Sequence, residues 1–384
     1  MIHRIRIQNF KSLRDVTVDL GPVTVLIGRS GSGKTNFAEA LKFVRSIASG
    51  ELGANPLQSR LRSLNCATSQ SNEIGCEVHF TIPGLESEFR YSFAIMSPEG
   101  HLTFERLYSN DVVVFSQSRT KSQNNIQGAL KWDVAPSMVS PPEPGKPAIN
   151  RLPGIEDVAL AYSTLSTGIG VYAFPFHVMT SFAETSKEVQ SNGLDDAGKN
   201  YLRVMREVAQ SLHQIQNRKG ILASLRTLNA SIASVDLDSL QNPRAATVGH
   251  FIGGSTLVID LASESDGFRR FYAHLLALYQ TPPKQTLVFE EPENGIFPGA
   301  LSLLADEFKA APDAGRGQVI ITTHSPQLLD HFDADQIRVV ELENLETKIG
   351  QLADGQREAL EQQLLSPGEL LTVDTPIRAG SGAE

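Results

Sequence analysis

Apolar and polar residues alternate over Ile2 to Phe10 and again over Val16, Val18 and Leu20, which predicts an antiparallel strand pair. Val23-Thr24-Val25-Leu26-Ile27 then reads as a buried strand. Phe37, Leu41, Val44 and Ile47 recur at steps of three and four, the spacing of a helix, and Ser49-Gly50 marks its stop. A polar stretch runs from Glu51 to about Asn72. Beyond it, Cys76 to Ile82, Phe89 to Ile95 and Val112 to Phe115 read as strands. The turn signals Pro83-Gly84 and Pro98-Glu99-Gly100 separate them, as expected of an antiparallel β region.

Ser116 to Gly154 is rich in Ser, Asn, Gln, Pro and Lys, the composition of a mobile loop. Helical patterns follow around Ile155 to Ser166 and from Lys199 to Leu228. The apolar stripe of the second (Leu202, Met205, Val208, Leu212, Ile215) suits packing against a core better than a coiled coil, since sustained heptads are absent. From Leu257 the α/β pattern resumes. Strands are expected at Leu257 to Ile259, Thr286 to Phe289, Gln318 to Thr322 and Ile337 to Leu342, with helices at Phe268 to Tyr279 and Leu301 to Phe308. The predicted organisation is 1–115, the first half of a head domain; 116–250, loop and helical insertion; 251–373, the second half of the head; and 374–384, a flexible tail.

Composition changes this picture little. Hydrophobic residues make up 41% and charged residues 20%, which fits a soluble globular protein. No apolar run is long enough to span a bilayer, the N-terminus lacks the apolar stretch of a signal peptide, and two cysteines without metal spacing suggest reduced thiols. A cytoplasmic protein without a membrane partner is the expectation. The net charge of −9 argues against coating nucleic acid through bulk charge. A local basic groove remains open, with Arg4, Arg6, Lys11, Arg60, Arg62, Arg119 and Lys121 as candidates.

Candidate chemistry begins where the third strand ends. Gly28-Arg29-Ser30-Gly31-Ser32-Gly33-Lys34-Thr35 reads G-x-x-x-x-G-K-[ST], with a strand before it and a helix after it, as a phosphate-binding P-loop requires. Backbone N–H groups and the helix N-terminus would face phosphates, Lys34 would reach the β- and γ-phosphates of ATP, and Thr35 would ligate Mg²⁺. A second site edge follows the strand Thr286 to Phe289. There Glu290 is the candidate metal ligand, and Glu291 the residue that polarises the attacking water. His324 follows another buried strand, where it can donate to the γ-phosphate or to that water. Ser265-Asp266-Gly267 opens a helix and can hold an anion, although Ser and Asp are also ordinary helix caps.

Taken together, these motifs resemble the ATPase heads of the ABC superfamily, of the RecF, SMC and OLD kind. Within them the chain is most similar to stand-alone bacterial predicted AAA-family ATPases. The matching residues are Ile5-Arg6-Ile7-Gln8-Asn9-Phe10-Lys11-Ser12-Leu13, the P-loop followed by Asn36, Ser265-Asp266-Gly267, Glu290-Glu291-Pro292-Glu293-Asn294-Gly295-Ile296 and Thr323-His324-Ser325-Pro326. The resemblance implies an α/β P-loop NTPase head with a mixed-sheet core, an antiparallel β subdomain and a helical subdomain.

It also implies a nucleotide held by residues 28–36 of one chain and by Ser265, Asp266 and Gly267 of a second copy. The result would be an ATP-hydrolysing switch that dimerises head to head and regulates DNA transactions or a separate effector, in repair or phage defence. Fewer than the hundred or so residues of a nuclease module follow Ser325, so a nuclease or toxin effector is expected on another chain. An ATP-dependent scaffold with little hydrolysis is the alternative. A transporter subunit would need L-S-G-G-Q, which is missing.

Overall fold

The computed structural model describes residues 1–381 except 51–60, 98, 119–146, 151, 153, 181–192, 211–214 and 242. Most of the loop expected over Ser116 to Gly154 lies outside the described residues, as do Arg60, Arg119 and Lys121.

Two six-stranded sheets enclose one helix. The first sheet is antiparallel, in the order β2-β1-β4-β5-β6-β7. Its strands are β1 (Ile2–Phe10), β2 (Leu13–Asp19), β4 (Glu73–Thr81), β5 (Glu88–Met96), β6 (His101–Ser109) and β7 (Val112–Ser118). The sequence pattern hides β6, because its inward position Glu105 is charged. That carboxyl is fully buried and accepts the Tyr91 hydroxyl at 2.8 Å and the backbone N–H groups of Ala148 and Ile149 at 2.6 and 3.2 Å. Burial pushes its pKa up despite these donors.

The central sheet runs β15-β14-β3-β13-β12-β8, with β3 (Val23–Ile27), β8 (Ile169–Tyr172), β12 (Thr286–Glu290), β13 (Gln318–Thr322), β14 (Ile337–Glu343) and β15 (Glu346–Gly350). All neighbours pair in parallel except β14 with β15. Strands β3 and β13 are buried along their whole length, as expected of parallel strands covered on both faces. Alternate residues serve the two faces. Leu26, Val288 and Ile320 join the core shared with the antiparallel sheet and with α1 (Lys34–Ala48), which is packed between the sheets. Val25, Ile27, Phe289 and Ile321 join the opposite core.

Helix α2 (Glu156–Tyr162) leads toward β8, the edge strand, so part of the stretch 116–250 is built into the head's own sheet. The helical pattern over Lys199 to Leu228 is two helices, α3 (Tyr201–Gln210) and α4 (Ile215–Leu228). They share the second core with α5 (Asp266–Tyr279) and α6 (Leu301–Asp313). A three-stranded sheet, β11-β10-β9, comprises β9 (Ile232–Leu237), β10 (Ala246–Ile252) and β11 (Ser255–Asp260), and leads into α5. Among the described residues, no helix is long and apolar enough to cross a membrane.

Candidate nucleotide site

Register places the chemistry. Strand β13 lies between β3 and β12, and Leu26, Thr322 and Glu290 stand level across the three strands. The next residues leave the sheet together. Thr323 donates its N–H to Leu26 O at 3.2 Å, and Glu291 donates its N–H to Thr322 O at 2.9 Å. The P-loop, Glu290-Glu291 and Thr323-His324 therefore share the C-terminal rim of a parallel sheet, where open α/β folds place their ligands.

The P-loop turns through Gly31 and Gly33, both at positive φ, into α1. A Cβ at Gly33 would lie 2.0 Å from Thr347 Oγ1, so only glycine lets the loop lean on β15. The Thr347 hydroxyl is within 2.8 Å of Ser32 O and within 2.6 Å of Ser12 Oγ, and Asn36 donates to that same Ser12 oxygen at 2.7 Å. Asn36 thus braces the back of the loop. Lys34 is buried and donates to Gly28 O at 2.9 Å and to Arg29 O at 3.2 Å. Burial lowers its ammonium to about 8, opposed by the charges of Glu291 and Glu293. Among the described residues the buried Ser32 hydroxyl has no hydrogen-bond partner, and Arg29, Ser30 and Gly31 are exposed.

Thr35 and Glu290 face the same cleft, and burial raises the Glu290 carboxyl above the usual carboxylate range, opposed by Lys42 and by the Thr35 hydroxyl. Lys42 Nζ stands 3.5 Å from Glu290 Oε1. Two such oxygens would suit Mg²⁺, which takes few protein ligands and completes its shell with phosphate and water. Among the described residues, no cluster of three His, Cys, Asp or Glu offers an all-protein cage.

Glu291 holds a positive φ of 45°, an unusual conformation for a glutamate, of the kind that collects at functional sites. Its Oε2 accepts from Asn294 Nδ2 at 2.7 Å, and its Oε1 lies 3.8 Å from His324 Nε2. Burial first, and Lys34 second, lower the His324 pKa, which keeps the ring neutral near pH 7. Glu293 fixes the histidine's backbone. Its Oε1 accepts the Thr323 hydroxyl at 2.7 Å and the His324 N–H at 2.9 Å.

The expected anion-binding turn is a capped helix start. Ser265 Oγ accepts the N–H of Phe268 at 3.2 Å. Asp266 pairs with Arg269. A Cβ on Gly267 would come within 2.9 Å of Gly295 O, so this turn packs directly on the loop that follows the acids. Arg270 strengthens that junction by donating to Asn294 O and Phe174 O, with its guanidinium over the Phe176 ring at 4.4 Å. A cleft of about 250 Å³ is lined by Thr35, Phe174, Arg270, Glu290, Glu291 and Asn294. At its floor His274 donates from Nδ1 to Arg270 O at 2.7 Å. Burial drops its pKa to about 3, so it stays neutral.

Lys42 and Arg270 have no role assigned from the sequence, Asn294 enters only as part of the matching run after the acidic strand, and Glu293 only as the next candidate for the base after Glu291. The acidic run Glu290-Glu291-Pro292-Glu293 already contained Glu293, and Arg270 belongs to the motif that opens α5. Nothing local marked Lys42. Among the basic candidates, Arg4 pairs with Asp19 at 2.6 Å, Arg6 with Asp15 at 2.8 Å and Lys11 with Glu39, so each carries its own counter-charge.

Residues 1–132 match a family described as an AAA ATPase domain, and residues 182–330 match one described as an AAA domain, putative AbiEii toxin, Type IV TA system. A 91-residue stretch is 31% identical to the OLD nuclease of Thermus scotoductus, covering 23% of this chain and 16% of that protein. A 133-residue stretch is 32% identical to the chromosome segregation protein sudA of Emericella nidulans, covering 32% of this chain and 11% of that protein. The chain thus matches only a small part of either relative's length.

Solved structures match over nearly the whole fold. An SMC head bound to the C-terminal winged-helix domain of ScpA superposes with a TM-score of 0.58 at 16% identity, covering 93% of this chain and 99% of that one. The SMC head of Pyrococcus furiosus, bound to the C-terminal domain of ScpA, superposes at 0.56 with 13% identity, covering 94% and 99%. The expected α/β P-loop fold with a mixed-sheet core is the one found, and it is the fold of these SMC heads.

Proposed function

We propose, from this SMC-type head fold as premise, that the chain binds ATP with Mg²⁺ and hydrolyses it. In this reading ATP joins two copies head to head, and the joined state controls a DNA transaction or a separate effector. The observation that carries hydrolysis is the Glu291–His324 pair, 3.8 Å apart on the rim that also holds Lys34.

Lys34 would exchange its contacts with Gly28 O and Arg29 O for β- and γ-phosphate oxygens, which suits a donor already buried at the loop's centre. Thr35 and Glu290 would hold Mg²⁺, which when bound supplies positive charge to the phosphates being separated. Glu291, oriented by Asn294, would take the proton of the attacking water. His324, neutral and with its backbone held by Glu293, would donate a hydrogen bond to the γ-phosphate. The packing of Gly267 on Gly295 gives the Ser265 turn a direct mechanical link to the acids, as a site shared between two copies would use.

The regulatory part draws on the relatives. One is named a nuclease and another a chromosome segregation protein, and a matching family is described as a putative toxin component. With a charge of −9 and its N-terminal arginines paired to acids, DNA binding would be local, salt-sensitive and stronger in the ATP-joined dimer. Phosphate release measured with Mg²⁺ and ATP tests the enzymatic reading. ATP binding without release would leave the chain a scaffold. Duplex binding across a salt series, with Glu291→Gln and ATP present, tests the DNA reading, and its absence at low salt would turn the search toward a protein effector.

A further inference from the structure

Lys42 sits between two carboxylates of different kinds. It lies about two turns beyond Lys34 on α1. Its Nζ is 3.5 Å from Glu290 Oε1 and 3.9 Å from Asp196 Oδ2. The Glu290 side chain is 12% exposed and that of Asp196 is 35% exposed, so one acid is within the site and the other at its edge.

Asp196 is held in place. Arg45 donates to both of its oxygens at 2.9 Å, and its carbonyl accepts the N–H of Ala173, just past β8, at 3.2 Å. Asp195 stiffens the same turn by accepting the N–H groups of Ala197, Lys199 and Asn200. Lys42 is a long, flexible cation against a rigid pair of acids.

A buried carboxylate without a counter-ion is costly, and Lys42 supplies one to Glu290. A divalent cation on Thr35 and Glu290 would do the same task with twice the charge and would repel the ammonium. The second acid, within 4 Å of the same nitrogen, gives that ammonium somewhere to go.

We infer that Lys42 is a resident counter-ion of Glu290 that competes with the divalent cation and withdraws onto Asp196 when the metal arrives. This rests on the reading of Thr35 and Glu290 as the metal site. It makes the loop ahead of α3, which carries Asp196, a determinant of metal affinity although that loop belongs to neither the P-loop nor the acidic strand.

The test is Mn²⁺ binding to the full chain with a non-hydrolysable ATP analogue, read from the spin-resonance signal of free Mn²⁺. Lys42→Met and Lys42→Gln are expected to tighten Mn²⁺ about fivefold, the scale of a partly exposed ion pair, and Lys42→Arg to bind as the unaltered chain does. Asp196→Asn is expected to weaken Mn²⁺ by about twofold to fivefold, and to have no effect when combined with Lys42→Met, because it acts through the lysine. Unchanged or weaker binding in both neutral Lys42 variants would overturn the inference, and so would an equal Asp196→Asn loss with and without Lys42. Glu290→Gln separates the premise: if it leaves Mn²⁺ affinity intact, the metal-site assignment fails, and the inference with it.

Discussion

The Glu293 carboxylate accepts the backbone N–H of His324 at 2.9 Å, and so ties the loop after β12 to the loop after β13. The acids and the histidine are thereby held as one piece, although 31 residues of sequence separate these two partners.

Glu293→Ala is expected to lower phosphate release about tenfold or more, because His324 loses its anchor while the P-loop is untouched. ATP affinity should stay within about twofold, and Glu293→Gln, which keeps one acceptor oxygen, should retain most of the activity. Turnover and an ATP titration on each variant check this, and a Glu293→Ala protein with full turnover would remove Glu293 from the site.

Glu291→Gln should bind ATP normally and release phosphate about 10² times more slowly, the usual loss for a general base. With hydrolysis stalled, ATP should hold the variant in a species of twice the monomer mass on light scattering. Normal turnover would pass the role of base to another group.

Lys34 makes a prediction about pH. Its folded-state value of about 8 lies below the 10.5 of a free lysine, so the unfolded chain binds more protons between the two. Stability contributed by this site therefore rises as pH climbs from about 8 to 10.5, and the cost of burying the charge is fully present below 8. Melting temperatures of the unaltered chain and of Lys34→Met, in buffer free of phosphate and nucleotide, should diverge in favour of Lys34→Met toward pH 7. A difference independent of pH would contradict the depressed lysine.

The Ser265 turn gives a prediction that separates a cap from a shared site. As a cap alone, replacement of Ser265 costs about 1 kcal/mol of stability and leaves hydrolysis intact once folded. As one half of a site between two copies, Ser265→Arg is inactive. Mixing it with inactive Lys34→Ala then restores hydrolysis, because one of the two sites in a mixed dimer carries neither change. An active, monomeric Ser265→Arg protein would end the shared-site reading.

What could be read from the sequence divides by how local the signal is. The P-loop, the acidic strand and the histidine loop each follow a run of apolar residues, and β3, β12 and β13 lie where those runs lie. Strands whose pattern is broken were not visible. Strand β8 is four residues with a glycine inside, and β15 has only Thr347 and Ile349 pointing inward. In β9 only Ile232 is fully buried, and β6 carries its charge to the core. Neighbours across the sheet were equally hidden. That Lys42 meets Glu290, or that Asn36 turns to Ser12, depends on pairings between distant segments that no spacing along the chain records.

The contact between the P-loop and β15 bears on how the protein is made. Thr347 reaches Ser32 across 315 residues of sequence, and Gly33 is shaped to receive the same side chain. At roughly 5–20 residues per second, a ribosome needs ~15–60 s to travel between them. Throughout that interval the phosphate loop exists without the strand that supports it. The segment that would grip ATP is synthesised hundreds of residues before the strand that braces it, so a nascent chain gains that support only once β15 has followed.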